Sequence, residues 1–403
     1  MGVIPGEFDL ASSASPDQVI ETARLRHWQV IPVGKAFGVV RVRFRGQEFE
    51  VATFRAEGGY QDARHPDASD LRFDCSLEED VVRRDFTMNG LALDPLAKPV
   101  RVLDFVGGLG DIQGRLVRAI GDPETRFTED ALRPLRALRF SAVLGFEIDG
   151  ATFAAMKKLA PILGRVSAER ISHELEKAFG RGDPQRALAL LLDSDILQVL
   201  FPDLGSPLPP SLSEVLKVGI LGLQRGDGLE QFLALLALAR HQLNPGPEQA
   251  RETVQGYCLG LKGSRETSLR GRALVEVWFA LRDLPLEGRR GHLLRLFRRE
   301  AFPPALRLYT ALAPLLGDAH PARARQFANL FQAQGPKAQA QQPLLNGADL
   351  IALGLKPSPQ FSVILEELEL LQLEGVISTR EEALAQAKRL AQGTTSCPGS
   401  SGR

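Results

Sequence analysis

Two small groups of charged residues in this sequence have the types and spacing that chemistry uses. The first is acidic. Glu7 and Asp9 stand one residue apart, and residues i and i+2 of a strand point to one face. Glu50 lies in a second candidate strand, and if that strand runs beside the first a third carboxylate joins them. Converging hard oxygens suit Mg2+, which takes ligands at about 2.1 Å and leaves its other positions to water and phosphates. Two such ions activate a hydroxyl and stabilise a leaving pyrophosphate. Taken alone this signal is weak, because acidic pairs at this spacing are common and a solvated strand edge is their ordinary reading.

The second group lies in RFTEDALRPLRALRF, residues 126–140. Thr128 reads as a helix N-cap. Arg133 follows Glu129 by four residues and Asp130 by three, so it meets either on one helix face. One reading is an intrahelical ion pair worth about 0.2–0.5 kcal/mol. The other is recognition of a base. Cytosine and adenine each offer an amino donor beside a ring-nitrogen acceptor; a carboxylate accepts and a guanidinium donates. Asp130 with Arg133 therefore complements both. Uracil and guanine have the opposite polarity and leave buried groups unpaired, at about 1–3 kcal/mol each.

These groups need elements to position them. Residues 15–30 read as a helix capped by Ser15, with Pro16 in the first turn. Residues 39–44 (VVRVRF) and 48–54 (EFEVATF) alternate around Arg45-Gly46-Gln47, the pattern of a β-hairpin. Residues 55–74 are polar and rich in Gly and Asp, a long loop of the functional kind. From about residue 129 apolar residues recur at helical spacing, in LRALRFSAVLG, RISHELEKAF, RALALLLDSDILQVL, LEQFLALLALARHQL, LLRLFRRE and FSVILEELELLQLEG. Gly/Pro stretches at 200–211 and 334–343 separate them. No repeat of fixed period is present, and the last dozen residues read as a disordered tail.

Length and composition bound the answer. The 403 residues suffice for two to three domains. No apolar run approaches the roughly 20 residues of a membrane span. The N-terminus has no signal-peptide pattern. Cys75, Cys258 and Cys397 are far apart and lack ligand-spaced neighbours, which argues against disulfides and zinc and fits a reducing cytoplasm. Formal net charge is zero, yet arginines cluster at 83–84, at 133, 136 and 139, and at 289, 290, 295, 298 and 299, so charge distribution matters more than its sum.

In that order, DLASSASPDQV, FEVATFRAEGGYQDARHPD, SLEEDVVRRDFTMNGLALDP, DFVGGLGDIQGRLVRAIGDPETRFTEDALRPLRALRF and RVSAERISHELEKAF resemble the motifs of class II tRNA CCA-adding enzymes and their bacterial poly(A) polymerase relatives. The resemblance runs from residue 7 to about 205 and returns in NGADLIALGLKPSPQFSVILEELELLQLEGVISTREEAL.

It implies an α+β fold: a small mixed nucleotidyltransferase head over 1–115, a helical neck over 116–205, a helical body and tail over 206–391 that hold tRNA, and a disordered end over 392–403. It implies transfer of nucleotides from ATP and CTP to a tRNA 3′-hydroxyl with Mg2+, adding either CCA or the terminal A alone. Glu7 and Asp9 would be the paired metal ligands and Glu50 the third acid. Arg84, Asp85 and Asn89 would contact the nucleotide, Asp85 near the ribose. Asp130 and Arg133 would read the base, with Glu129 orienting the arginine. Arg136 and Arg139 would face phosphates, and Arg170 would steady the base-reading helix. The Arg-rich helix near 289–299 would meet tRNA phosphates. The loop at 55–74 implies that A is added and not only CC. The chain has no His-Asp dipeptide, so the metal phosphohydrolase domain of some relatives is not expected.

Three departures from the pattern stand out. The Gly-Gly-x-x-Arg-Asp segment that cradles a triphosphate would precede Met1, so the head reads as N-terminally truncated. Glu7 stands where the family has Asp. Pro134, inside a helix begun at Thr128, would cost about 3 kcal/mol or a kink. Poly(A) polymerase is the near alternative function, and a catalytically impaired RNA-binding homologue the distant one.

Overall fold

A computed structural model describes residues 9–31, 34–57, 71–244, 246–285 and 290–393. Glu7, Arg289, Cys397, most of the 55–74 stretch and the final ten residues lie outside the described residues. The chain divides into two compact units. One runs to Pro209 and takes in Gln224–Leu229 and Leu259–Gly263; the other holds the remainder.

The first unit opens with β1 (Asp9–Ser12), α1 (Pro16–Leu25), β2 (Gln29–Ile31), β3 (Val39–Phe44) and β4 (Gln47–Thr53). Their sheet has the order β1-β4-β3-β2. The hairpin expected from alternation is β3–β4, and its two-residue turn, Arg45 (φ 50) and Gly46 (φ 81), is left-handed at both positions, as the right-handed twist of the strands demands. Val40 and Val42 face α1, where Ile20 and Ala23 close a small core, while Arg41 and Arg43 face solvent. Ser15 and Gln18 make a reciprocal capping box on α1. The helix stops at Leu25, short of the expected residue 30, because His27 turns left-handed (φ 57) and sends the chain into β2.

The unit continues through β5 (Ala56–Glu57), β6 (Leu71–Arg72), α2 (Leu77–Val82), the hairpin β7 (Leu91–Asp94) and β8 (Arg101–Asp104), α3 (Gly108–Gly114), β9 (Leu116–Val117), α4 (Pro123–Glu129), α5 (Arg133–Leu144), β10 (Glu147–Ile148), α6 (Gly150–Lys158), α7 (Ala168–Gly180), α8 (Pro184–Asp193) and α9 (Ile196–Leu200). The run expected as one helix over 186–200 is two, parted where Asp195 turns left-handed (φ 60). Phe86, Phe127, Leu135, Leu138 and Phe179 are fully buried, each worth about 1.5–3 kcal/mol of apolar burial.

The helix expected to start at Thr128 does not. α4 begins earlier, capped by Asp122, which accepts from Thr125 N at 2.8 Å. Thr128 sits inside it, its hydroxyl donating to the Glu124 carbonyl. The chain extends at Asp130 and restarts as α5. Pro134 is then a first-turn residue, where no intrahelical N–H bond is lost, and the expected kink is absent.

The second unit is built from α10 (Pro210–Gly219), α11 (Leu229–Arg240), α12 (Pro247–Gly260), α13 (Arg265–Asp283), α14 (Arg290–Phe297), α15 (Phe302–Leu312), α16 (Ala319–Ala340), α17 (Gly347–Ala352), α18 (Gln360–Leu373) and α19 (Arg380–Gly393). Trp278, Phe297, Phe302, Tyr309 and Phe327 fill its core. Residues 334–343 were expected to break the helices, yet α16 runs to Ala340 with Pro336 inside it. Gly335 and Ala338 there are buried, so packing offsets the lost hydrogen bond. Among the described residues no helix is long and apolar enough to cross a membrane.

Candidate active site

Of the acidic group, Glu7 lies outside the described residues, and Asp9 and Glu50 are brought side by side. β1 runs parallel to β4 with Asp9 opposite Glu50, and Arg41 of β3 lies opposite Glu50 on its other side. The three form one row across the exposed face of the sheet. Arg41 Nε and Nη2 donate to Glu50 Oε1 at 2.8 and 2.7 Å. Asp9 and Glu50 offer the hard, exposed oxygens that a divalent ion of the Mg2+ type takes, so these residues fit such an ion. Among the described residues they gather no third His, Cys, Asp or Glu into a cluster.

The RRDFTMN segment follows α2 and is held from three sides. Its backbone pairs with residues 118–120: Thr87 N donates to Arg118 O and Ile120 N to Asp85 O. Gly108 lies against the 3-10 turn Thr87–Asn89; a Cβ there would stand 2.2 Å from the Thr87 carbonyl oxygen. Only glycine allows that approach.

Asp85, expected near the ribose, is the centre of the segment. Its Oδ2 accepts from Arg136 Nε and Nη2 at 2.8 and 2.6 Å, and Oδ1 accepts from Phe86 N at 2.8 Å and Asn89 Nδ2 at 2.9 Å. A buried carboxylate needs such donors, and these four fill its lone pairs. Burial pushes the Asp85 carboxyl up, but the Arg136 guanidinium and the hydrogen bonds outweigh it and leave it below the usual range. The same ion pair raises Arg136 against its own burial. Arg136, expected at phosphates, pairs here with Asp85, and Asn89 serves the same acid. Arg84 pairs with Asp80 Oδ2 at 3.1 Å and donates to the Asn89 carbonyl, with about a third of its side chain open (36%).

The junction between α4 and α5 carries the second group. Arg133 meets Glu129 at 2.9 Å, as spacing predicted. Glu129 also takes Arg126 at 3.1 Å. Arg133 is buried (7% exposed) and donates further to the carbonyls of Arg126 and Arg83, both at 2.9 Å. Asp130 does not pair with Arg133. Its carboxylate accepts from Leu132 N, which starts α5, and from Arg170 Nη2 at 3.3 Å. Arg170 therefore steadies this junction from α7. The expected side-by-side presentation of Asp130 and Arg133 is divided here between two different partners, because the chain breaks between them.

Arg139, also expected at phosphates, is largely buried. It pairs with Glu174 and stacks 3.8 Å over the Phe140 ring. Burial holds its guanidinium below the usual value, although Glu174 opposes this. Sequence reasoning missed two acids that organise the cluster: Asp80 and Glu174, each 3% exposed. For Asp80 a signal existed, since it precedes Arg83 and Arg84 by three and four residues on one helix face. For Glu174 the partner lies 35 residues away and no local spacing shows it.

In the second unit the described arginines near 289–299 are engaged with acids or amides. Arg295 and Arg298 pair with Glu369, Arg295 also with Glu366, Arg299 with Glu276, and Arg290 with Gln334. The bare phosphate-binding face expected of them is therefore partly neutralised within the unit.

Comparison with known proteins finds relatives along most of the chain. Residues 1–118 match the family described as the poly A polymerase head domain, and residues 145–206 match the probable RNA and SrmB-binding site of polymerase A. A CCA-adding enzyme of Limosilactobacillus fermentum is 33% identical over 394 residues, covering 94% of this chain and 87% of that one. One from Streptococcus sanguinis is 34% identical over 381 residues with the same coverage. The crystal structure of the Bacillus stearothermophilus CCA-adding enzyme with CTP superposes with a TM-score of 0.64, at 26% identity, over 98% of this chain and 91% of that one.

Proposed function

The chain belongs to the family of CCA-adding enzymes, nucleotidyltransferases that complete the 3′ end of tRNA, and we propose that it performs this reaction from CTP and ATP with the residues gathered in its first unit. The observation that carries the reading is kinship at 33–34% identity over 94% of the chain.

In the reaction the tRNA 3′-hydroxyl attacks the α-phosphate in line and pyrophosphate leaves. Asp9 and Glu50, together with Glu7, would hold Mg2+, which when bound supplies activation of the hydroxyl and neutralisation of developing charge. The protein's own part is positioning. Arg84, the more open arginine of RRDFTMN, meets the triphosphate. Asp130 accepts from the amino group of C or A, and Arg133 donates to the ring nitrogen, exchanging its bond to the Arg126 carbonyl for the base and keeping that to Arg83. Arg170 and Glu129 keep the acid and the arginine in place. Asp85, Asn89, Arg136 and Arg139 form the ion-paired frame beneath them.

We place the head at 1–115, the neck at 116–205 and the tRNA-holding body and tail at 206–391. A cytoplasmic location is supported by Cys75 and Cys258, both free thiols. Purified protein with Mg2+ and α-labelled CTP or ATP tests the function on tRNA lacking CCA and on tRNA ending in CC. Label from CTP on the first and from ATP on the second is expected. No label on either, with a folded protein, would contradict it. The match to a poly A polymerase head favours adenylation as the second reading. Long A tails on unstructured RNA would select that reading instead.

A further inference from the structure

Arg133 rests on a carbonyl whose place is itself fixed by two side chains that no step above uses. Its Nη2 donates to Arg83 O at 2.9 Å. Arg83 is the C-cap of α2, where the last carbonyls of a helix lack intrahelical partners and carry the negative end of its dipole. Arg126 serves the neighbouring Val82 carbonyl in the same way. The end of α2 is thus a receptor for the arginines of the α4–α5 junction.

What holds that receptor still is the Asp80–Arg83 pair. Arg83 Nη2 donates to Asp80 Oδ1 at 2.7 Å, and Arg83 Nε donates to the Arg55 carbonyl at 2.7 Å. Asp80 Oδ1 also accepts from Arg55 N at 3.2 Å, and its Oδ2 takes Arg84. Asp80 is 3% exposed. Burial pushes its carboxyl up, yet Arg83, the Arg55 N–H and Arg84 leave it below the usual range. The end of α2 is therefore tied through one buried anion to the chain leaving β4, the strand that carries Glu50. A continuous set of bonds runs from Arg55 through Asp80 and Arg83 to Arg133.

We propose that Asp80 and Arg83 are positioning residues for base choice, holding the carbonyl that sets where Arg133 stands. This rests on the reading of Arg133 as the group that selects C and A. Displacing a recognition group by about 1 Å costs on the order of 10²-fold. Loosening α2 should therefore act on discrimination between bases, not on turnover alone.

The test uses the full chain, tRNA lacking CCA, and CTP, ATP or UTP given singly, with kcat and KM measured for each. Asp80→Asn removes the anion. Arg83→Lys keeps the charge but loses the planar fork that bridges Asp80 and Arg55, and it decides the matter if Asp80→Asn does not fold. Each variant is expected to lower the CTP-over-UTP ratio of kcat/KM by about tenfold or more, mainly through KM. Combined with Arg133→Lys, Asp80→Asn should add little further loss, since linked residues are not additive. An equal fall for all three nucleotides with the ratio intact, or a full multiplicative loss in the double variant, would overturn the proposal. If Arg133→Lys itself leaves discrimination intact, the reading of Arg133 fails and the proposal fails with it. If Arg133→Lys relaxes discrimination while Asp80→Asn and Arg83→Lys do not, only the proposal fails.

Discussion

Arg136 reaches back 51 residues to Asp85 and gives one of its carboxylate oxygens two hydrogen bonds, at 2.8 and 2.6 Å. This bond ties α5 to the RRDFTMN segment and makes the ion-paired frame a single piece. Its removal leaves Arg136 and Asn89 without their acid. Asp85→Ala should cost about 3 kcal/mol, read as a fall in the urea midpoint with the slope unchanged. A loss under about 0.5 kcal/mol would show the pair to be incidental.

The same pair predicts an acid limb. The folded Asp85 and Asp80 carboxyls lie below their ordinary value of 3.8. A depressed folded value means stability that is fully present above the unfolded value and lost as pH falls through the folded one. Unfolding free energy should drop as pH falls below about 5 and go on dropping through the depressed folded values. Asp85→Asn should make that fall shallower. An equally steep fall in the variant would assign the acid limb to other groups.

Asp9 and Glu50 are exposed on the sheet, and among the described residues Glu50 pairs with the surface residue Arg41, whose side chain is 45% exposed. Replacing either acid by Ala should leave the melting temperature almost unchanged, since exposed pairs contribute about 0–1 kcal/mol. Nucleotide transfer should fall by about 10²–10³-fold, the size of lost metal stabilisation. Chelation of divalent ions should do the same to the wild type. Retained transfer in both variants would move the metal ligands elsewhere.

Gly108 tests the packing beneath RRDFTMN. Gly108→Ala puts a methyl against the Thr87 carbonyl and should destabilise the protein by about 1–3 kcal/mol, with a raised nucleotide KM as the segment shifts. An unchanged KM would separate this turn from the nucleotide site.

What the sequence made legible follows from physics of short range. The β3–β4 hairpin was readable because Val40 and Val42 alternate with Arg41 and Arg43 around a glycine turn. The Glu129–Arg133 pair was readable because four residues span one helical turn. The α4–α5 break was not, because Asp122 and Thr128 are both competent caps and local pattern does not choose between them. Pro134 then looked like an intruder where it is a first-turn residue. Burial was also invisible: Asp80 and Glu174 look like surface acids until tertiary packing surrounds them with arginines. The internal partners of Asp85, Arg136 and Arg139 were hidden for the same reason, since spacing shows a charge but not the group that pairs with it.

The most direct test is to sequence the 3′ ends of tRNA lacking CCA after incubation with the protein, Mg2+ and all four nucleotides. Ends extended by C, C and A in that order, stopping there, with U and G absent, are expected. Runs of A on tRNA and on unstructured RNA alike, or ends carrying U and G as often as C and A, would contradict CCA addition.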